Sequence, residues 1–213
     1  MLVARARGVD ITREGSGNIG ATNVSRVLGK GAGILVLILD IFKGLIPALV
    51  FQMIVQRPIF GIGYPSQEFG LLCGGLAMVG HMSSPFLGFR GGKGIATGLG
   101  MLVGSAPVVG FWALITFAAA FAVTRIVSLS SLIAVIAMVV AGFYLTPVLF
   151  WVVYGVLAAL IFWKHRANIE RLLKGEEAKF SFAKTAGSDG PGVGETSGED
   201  PSNREDETGD GHP

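Results

Sequence analysis

From residue 33 to residue 163 the chain passes through one apolar stretch after another, interrupted only by short loops rich in Arg, Lys, Gly and Pro. Nothing else in the sequence restricts the fold so tightly. In lipid every backbone polar group must be satisfied within the segment, and about 20 apolar helical residues are needed to cross. The stretches 33–55, 69–87, 127–145 and 147–163 each suit one such helix. The stretch 95–123 is too long for one ordinary span and carries Pro107 near its middle, so it reads as two short crossings. Two crossings there also bring Arg5 to Lys30, Arg90 to Lys93, Arg125 and Lys164 to Lys174 to one side of the membrane, and the positive-inside rule makes that side the cytoplasm. The expected fold is therefore all-α: a polytopic membrane helix bundle with six crossings, both termini inside, and Gly-rich loops on the cytoplasmic face.

A hydrophobic content of 51% with 15% charged residues excludes a soluble domain of ordinary composition. The net charge of +2 hides a division of sign. Beyond Gly187 the acids Asp189, Glu195, Glu199, Asp200, Glu205, Asp206, Glu207 and Asp210 face Arg204 alone, so residues 1–186 read as a basic membrane domain and 187–213 as a disordered acidic tail. Residues 56–68, with Arg57, Pro58, Gly61, Gly63 and Pro65, read as an external loop. The lone Cys73 lies in an apolar run, which excludes an intrachain disulfide and a cysteine metal cluster. No metal, cofactor or nucleic acid is expected. Arg5 and Arg7 are followed by no apolar region before Arg13, so no cleavable signal peptide is expected. Inside the first span, Asp40 and Lys43 fall on one helical face and are expected to pair, because isolated charges there are costly.

Three loops carry the chemistry. The first, G-S-G-N-I-G-A-T-N from Gly15 to Asn23, sets Ser16, Asn18, Thr22 and Asn23 among glycines and suits a polyol or phosphate, although a solvated turn has the same composition. The second is R-G-G-K-G-I-A-T from Arg90 to Thr97. Its glycines Gly91, Gly92 and Gly94 let successive N–H groups point into one concavity, Lys93 adds a charge, and a helix beginning near Ile95 adds its positive end, so the natural guest is a phosphate. A membrane-interface turn would use the same residues. A nucleotide P-loop does not fit: Gly88 stands one position too near, and Gly94 replaces the metal-binding hydroxyl. The third, K-H-R-A-N-I-E-R-L-L-K-G-E-E, places His165, Asn168 and Leu172 on one helical face with Arg171 close by; a headgroup anchor would read the same way.

Taken together and in this order, G-S-G-N-I-G-A-T-N, G-H-x-x-x-P-F-x-x-F-R-G-G-K-G-I-A-T and H-R-x-N-I-x-R-x-x-x-G-x-E closely resemble the PlsY family, the bacterial acyl-phosphate:glycerol-3-phosphate acyltransferases. The likeness runs from about Gly8 to Phe182. It implies a multi-pass enzyme of the bacterial inner membrane, active on its cytoplasmic face, that moves a fatty acyl group from acyl phosphate to the sn-1 hydroxyl of glycerol 3-phosphate. Lysophosphatidic acid, the first intermediate of phospholipid synthesis, is the product, and acyl-CoA is not used. The implied glycerol phosphate contacts are Ser16, Arg26, Lys93, His165 and Asn168, with Gly91 to Gly94 as the acyl-phosphate loop. Lys93, His165, Asn168 and Ser16 carry catalysis in this reading, and Thr22, Asn23, Ser128, Ser131 and Glu170 are neighbours. Membrane lipid and the enzyme that makes acyl phosphate are the implied partners.

The chemistry agrees with that reading. An acyl phosphate is already activated, so a protein need only hold two phosphates together and orient one hydroxyl, which can supply about 7–11 kcal/mol. Cations offset the repulsion between the two phosphates. Acyltransferases built on H-x-x-x-x-D are not matched, since Phe86 follows His81 at that spacing and Glu170 follows His165. The expected proton acceptor is a phosphate oxygen of the donor, with His165 orienting; His165 as general base is the alternative. A transporter of phosphate-bearing anions is the rival function, and it calls for polar groups at the midplane. Family members also open with a further span, making seven in the full-length pattern. Here only its cytoplasmic end is seen as L-V-A-R-A-R-G-V-D-I, so an apolar segment of about 15–20 residues is expected upstream of Met1.

Overall fold

The computed structural model describes residues 1–54 and 66–180, and all regular structure among them is helical. Much of the external loop expected at 56–68, and the whole tail from 187, lie outside the described residues. The helices are α1 (Leu2–Arg5), α2 (Ala21–Leu28), α3 (Lys30–Ile54), α4 (Ser66–Met82), α5 (Ile95–Ser105), α6 (Pro107–Thr124), α7 (Val127–Leu145), α8 (Val148–Lys164) and α9 (Arg166–Leu173), with a single 3-10 turn at Pro85–Leu87.

The breaks fall where the chain cannot stay helical. Ala106 precedes Pro107 and takes φ −147°, since the proline ring disfavours helical geometry in the residue before it; Pro107 then opens α6. Pro147 separates α7 from α8 in the same way, with Thr146 extended. Arg125 turns the chain between α6 and α7 in the left-handed conformation, φ 58°. Ser84 and Pro85 stop α4 short of the span expected to reach residue 87.

By length and hydropathy α3, α6 and α7 can each cross a bilayer, and α8 joined to α9 would make a fourth. That pair is bent by 61°, and α9 carries Arg166, Glu170 and Arg171, so the apolar span ends at the bend. The long stretch 95–123 does divide at Pro107. Its first half, α5, has 11 residues and rises about 16 Å, half of a hydrocarbon core of about 30 Å. The described helices thus give three to four spans by length, and the count of six remains a reading of the sequence.

A half-length helix is tolerable here because α5 is sheathed in protein, against α3 and α4. Backbones touch at glycines: a Cβ on Gly44 of α3 would strike the Thr97 carbonyl, and one on Gly100 of α5 would strike the Ile41 carbonyl. Met101 of α5 is fully buried with Leu71, Met78, Val109, Tyr154 and Leu157 in the main core. A smaller core of Ala4, Ile11, Val24, Ala32 and Val36 ties the N-terminal segment and the amphipathic α2 to the start of α3. Outward from both, Ile38, Phe42, Phe111, Trp112, Val140 and Val152 form an exposed apolar surface, as a lipid-facing bundle requires.

Candidate active site

The C-terminal ends of α4 and α8, the N-terminus of α5 and the α6–α7 turn meet at one end of the bundle. Lys164 Nζ donates to the Met82 carbonyl at 2.5 Å, fastening α8 to α4. Just beyond, His165 closes α8, its N–H on the Ile161 and Phe162 carbonyls. Its ring Nδ1 lies 2.8 Å from the Ile161 oxygen, which can only accept, so Nδ1 carries the proton and Nε2 is left as an acceptor. His165 is 2% exposed, and burial pushes its pKa down to about 4 despite that hydrogen bond, so the ring is neutral at physiological pH. Trp163, two residues earlier, is half exposed, with the charges of Lys164 and Arg166 within 5.3 Å and 5.1 Å of its ring.

One helical turn into α9, the side chain of Asn168 joins the second loop to the third. Its Oδ1 accepts from Lys93 Nζ at 2.6 Å, and its Nδ2 donates to Glu177 Oε1 at 2.6 Å. Glu177 also accepts from Ser128 Oγ of α7 at 2.6 Å, and its Oε2 accepts from Arg171 Nε at 2.6 Å. Desolvation would raise the Glu177 carboxyl, but the hydrogen bonds from Ser128, Asn168 and Arg171 outweigh it and hold the group below the usual carboxylate value. For Lys93 burial is the largest influence and lowers its pKa; Glu177 opposes this, while Arg171 and Arg26 add to it. Arg26 of α2 is thus close enough to be felt at Lys93. Phe180 anchors the segment after α9, giving its N–H to the Arg125 carbonyl at 2.7 Å and its ring to Phe121.

The second loop corrects one expectation. The Gly91 and Gly92 N–H groups do not point into an open concavity but donate to the Met82 and His81 carbonyls at 3.2 Å and 3.1 Å. These two positions are glycine because α4 leaves no room: a Cβ on Gly91 would meet the His81 carbonyl oxygen, and one on Gly92 the His81 ring. What the loop leaves to the site is the half-buried Lys93 side chain, together with the first turn of α5, for which Gly94, at φ 82°, supplies no side-chain cap. An uncapped helix N-terminus beside a lysine favours an anion.

Of the other candidates, Asn23 is 1% exposed and its amide is occupied within the first loop, Nδ2 donating to the Glu14 and Asn18 carbonyls at 3.0 Å and 2.9 Å and Oδ1 accepting from the Ser16 N–H at 2.9 Å. Ser16 is exposed and Thr22 half-buried, and no hydrogen bond among the described residues links either to the Lys93 network. Ser131 donates to the Val127 carbonyl of its own helix. Glu170 is exposed, and Glu177 is the carboxylate that enters the cluster. The helical periodicity of α9 does not extend to Glu177, although the G-x-E that ends the third motif contains it. Gly175, at φ 72°, reverses the chain and brings Glu177 back. The pairing of Asp40 with Lys43 is present at 2.5 Å. Among the described residues no group of three or more His, Cys, Asp or Glu could hold a metal ion.

The family model described as glycerol-3-phosphate acyltransferase matches residues 1–175. The chain belongs to the glycerol-3-phosphate acyltransferase family. Within it, the chain is 44% identical over 181 residues to the glycerol-3-phosphate acyltransferase of Thioalkalivibrio sulfidiphilus (strain HL-EbGR7), covering 84% of this chain and 85% of that one. With the enzyme of that name from Aquifex aeolicus (strain VF5) it shares 44% identity over 184 residues, 84% of this chain and 90% of the other. Among solved structures, PlsY (YgiH), described as an integral membrane glycerol 3-phosphate acyltransferase, superposes in its glycerol 3-phosphate form with a TM-score of 0.74 at 41% identity, covering 84% of this chain and 86% of that chain. Its lysophosphatidic acid form gives 0.72 over the same shares at the same identity. This family membership and the bundle of apolar helices make the chain an integral membrane protein of an acyltransferase family.

Proposed function

We propose that this chain acylates glycerol 3-phosphate at the sn-1 hydroxyl, taking the acyl group from acyl phosphate and releasing lysophosphatidic acid and inorganic phosphate. The active site lies on the cytoplasmic face of the bacterial inner membrane, and the enzyme that makes acyl phosphate is its supplier. One observation carries the reading: Lys93 Nζ on Asn168 Oδ1, which joins the two loops richest in cations. Relatives named glycerol-3-phosphate acyltransferase, and a neighbour solved with glycerol 3-phosphate and with lysophosphatidic acid, support the acceptor and the product.

Lys93, Arg26 and the α5 N-terminus offset the repulsion between two phosphates brought together. The hydroxyl oxygen attacks the acyl carbon, the new C–O bond forms, and the acyl–phosphate C–O bond breaks with its electron pair leaving on phosphate. A base with a conjugate-acid pKa of about 4 is too weak to take the hydroxyl proton efficiently near neutrality. A phosphate oxygen of the donor, which gains basicity as the acyl–phosphate bond breaks and charge collects on the leaving group, is the better acceptor. His165 Nε2, an acceptor because Nδ1–H is engaged, suits the part of orienting the hydroxyl. The clustering of these groups at one end of the bundle favours an interfacial enzyme over an anion transporter.

The test is purified protein in detergent, given acyl phosphate and labelled glycerol 3-phosphate, with acyl-CoA as a parallel donor. Labelled lysophosphatidic acid should form from acyl phosphate alone. Folded protein that forms none, or that requires acyl-CoA, would refute the reading.

A further inference from the structure

We propose that His81 is a positioning residue for Lys93, its imidazole forming the floor on which the Gly92 turn rests. The inference deepens the proposed function and rests on it for the identity of the ligand.

Three observations support it. First, His81 holds Gly92 twice, since its carbonyl accepts the Gly92 N–H at 3.1 Å and its ring fills the space that a Gly92 side chain would need. A Cβ built there would fall on Nε2, with Cε1 at 2.8 Å and Cδ2 at 3.1 Å. Second, the ring is backed by a buried carboxylate. Its Nδ1 faces Asp40 Oδ1 of α3 at 3.6 Å, and the two side chains are only 7% and 6% exposed. Third, a buried carboxylate needs partners, and Asp40 Oδ1 has Lys43 at 2.5 Å and His81 at 3.6 Å. A line of contacts therefore runs from Asp40 through His81 to Gly92, and the next residue is Lys93.

That line can be broken at separate points. His81→Asn keeps a donor for Asp40 while clearing the space under Gly92. Gly92→Ala alone should raise the KM for glycerol 3-phosphate about tenfold, because an added methyl in a filled site displaces the turn that carries Lys93. In Gly92→Ala/His81→Asn the KM should return to that of His81→Asn alone. Gly91→Ala is the control: its Cβ would meet backbone carbonyl atoms of His81 and Met82, so His81→Asn should give no relief and the two losses should multiply. Asp40→Asn added to His81→Asn should change nothing further if the carboxylate acts on the loop only through the ring.

Multiplying losses for the Gly92 pair would overturn the proposal. So would a fall in kcat and in yield of folded protein with KM unchanged, which is what a purely structural histidine predicts. If His81→Asn does not fold, His81→Ser carries the same expectations. Melting temperature and equilibrium binding of labelled glycerol 3-phosphate are read on every variant. Wild-type protein that binds glycerol 3-phosphate but makes no lysophosphatidic acid refutes the proposed function, while relief of Gly92→Ala in melting and in binding still decides the role of His81.

Discussion

The first and second loops have nearly the same composition, glycine with a few polar residues, and they use it in opposite ways. In the loop from Gly15 to Asn23 the backbone is gathered around a buried side chain, with Asn23 tying Glu14, Ser16 and Asn18 together. In the loop from Arg90 to Gly94 the backbone itself is fastened down, Gly91 and Gly92 bonding to the end of α4, and the side chain of Lys93 is released to meet Asn168. One loop turns its side chain inward to hold a shape. The other anchors its main chain and offers a charge to the neighbouring loop. Composition does not separate these cases; where the acceptors lie does.

Substitutions can break that contrast. Lys93→Ala should have the largest effect, a loss of turnover of about 100-fold or more with insertion and melting temperature retained, because it removes a charge and no packing. Activity within a fewfold of wild type would mean that the offered charge has no task. Asn23→Ala should do the reverse. It strips partners from buried backbone groups and should cost about 1–3 kcal/mol, seen as a lower melting temperature, with turnover per folded molecule at saturating substrate changed less. An unchanged melting temperature with lost activity would make Asn23 a ligand and erase the contrast.

Glu177→Gln sharpens the comparison through pH. A carboxyl held below its unfolded value contributes stability above about pH 4.5 and loses it as pH falls through the folded value. The wild type should therefore show an acid limb in melting temperature below pH 4.5 that is shallower in Glu177→Gln. At neutral pH the variant should also have a more easily deprotonated Lys93, because the Glu177 charge that raises its pKa is gone. An identical acid limb would remove Glu177 from the network. The smallest effect is expected from Ser131→Ala, within about twofold in activity, since that hydroxyl serves only its own helix; Ser128→Ala should cost more.

Much of the fold was readable because prolines and apolar runs act locally. Pro107 and Pro147 break the chain where their own ring geometry demands it, and the Asp40–Lys43 pair follows from helical spacing. Pro107 also foretells that α5 is short; how so short a helix is accommodated was not readable, since that depends on Gly44 and Gly100 letting two helices touch, a fact about neighbours. In the site, Lys93 meets Asn168 directly, while Ser128, which lies in none of the three motifs, reaches the cluster only through Glu177. The Gly91 and Gly92 amides were misjudged because their acceptors lie on α4, and Glu177 was missed because Gly175 folds the chain back past the end of the helix that the periodicity describes.

The indole of Trp163, flanked by two cations, is the kind of side chain that settles where hydrocarbon gives way to headgroups. In the reaction proposed it would serve as a depth mark, with His165 two residues beyond it. The greasy donor and the ionic acceptor would each be met in its own medium, the tail lying sideways in the leaflet and the small anion arriving from solution. The product would already be in the leaflet when it forms.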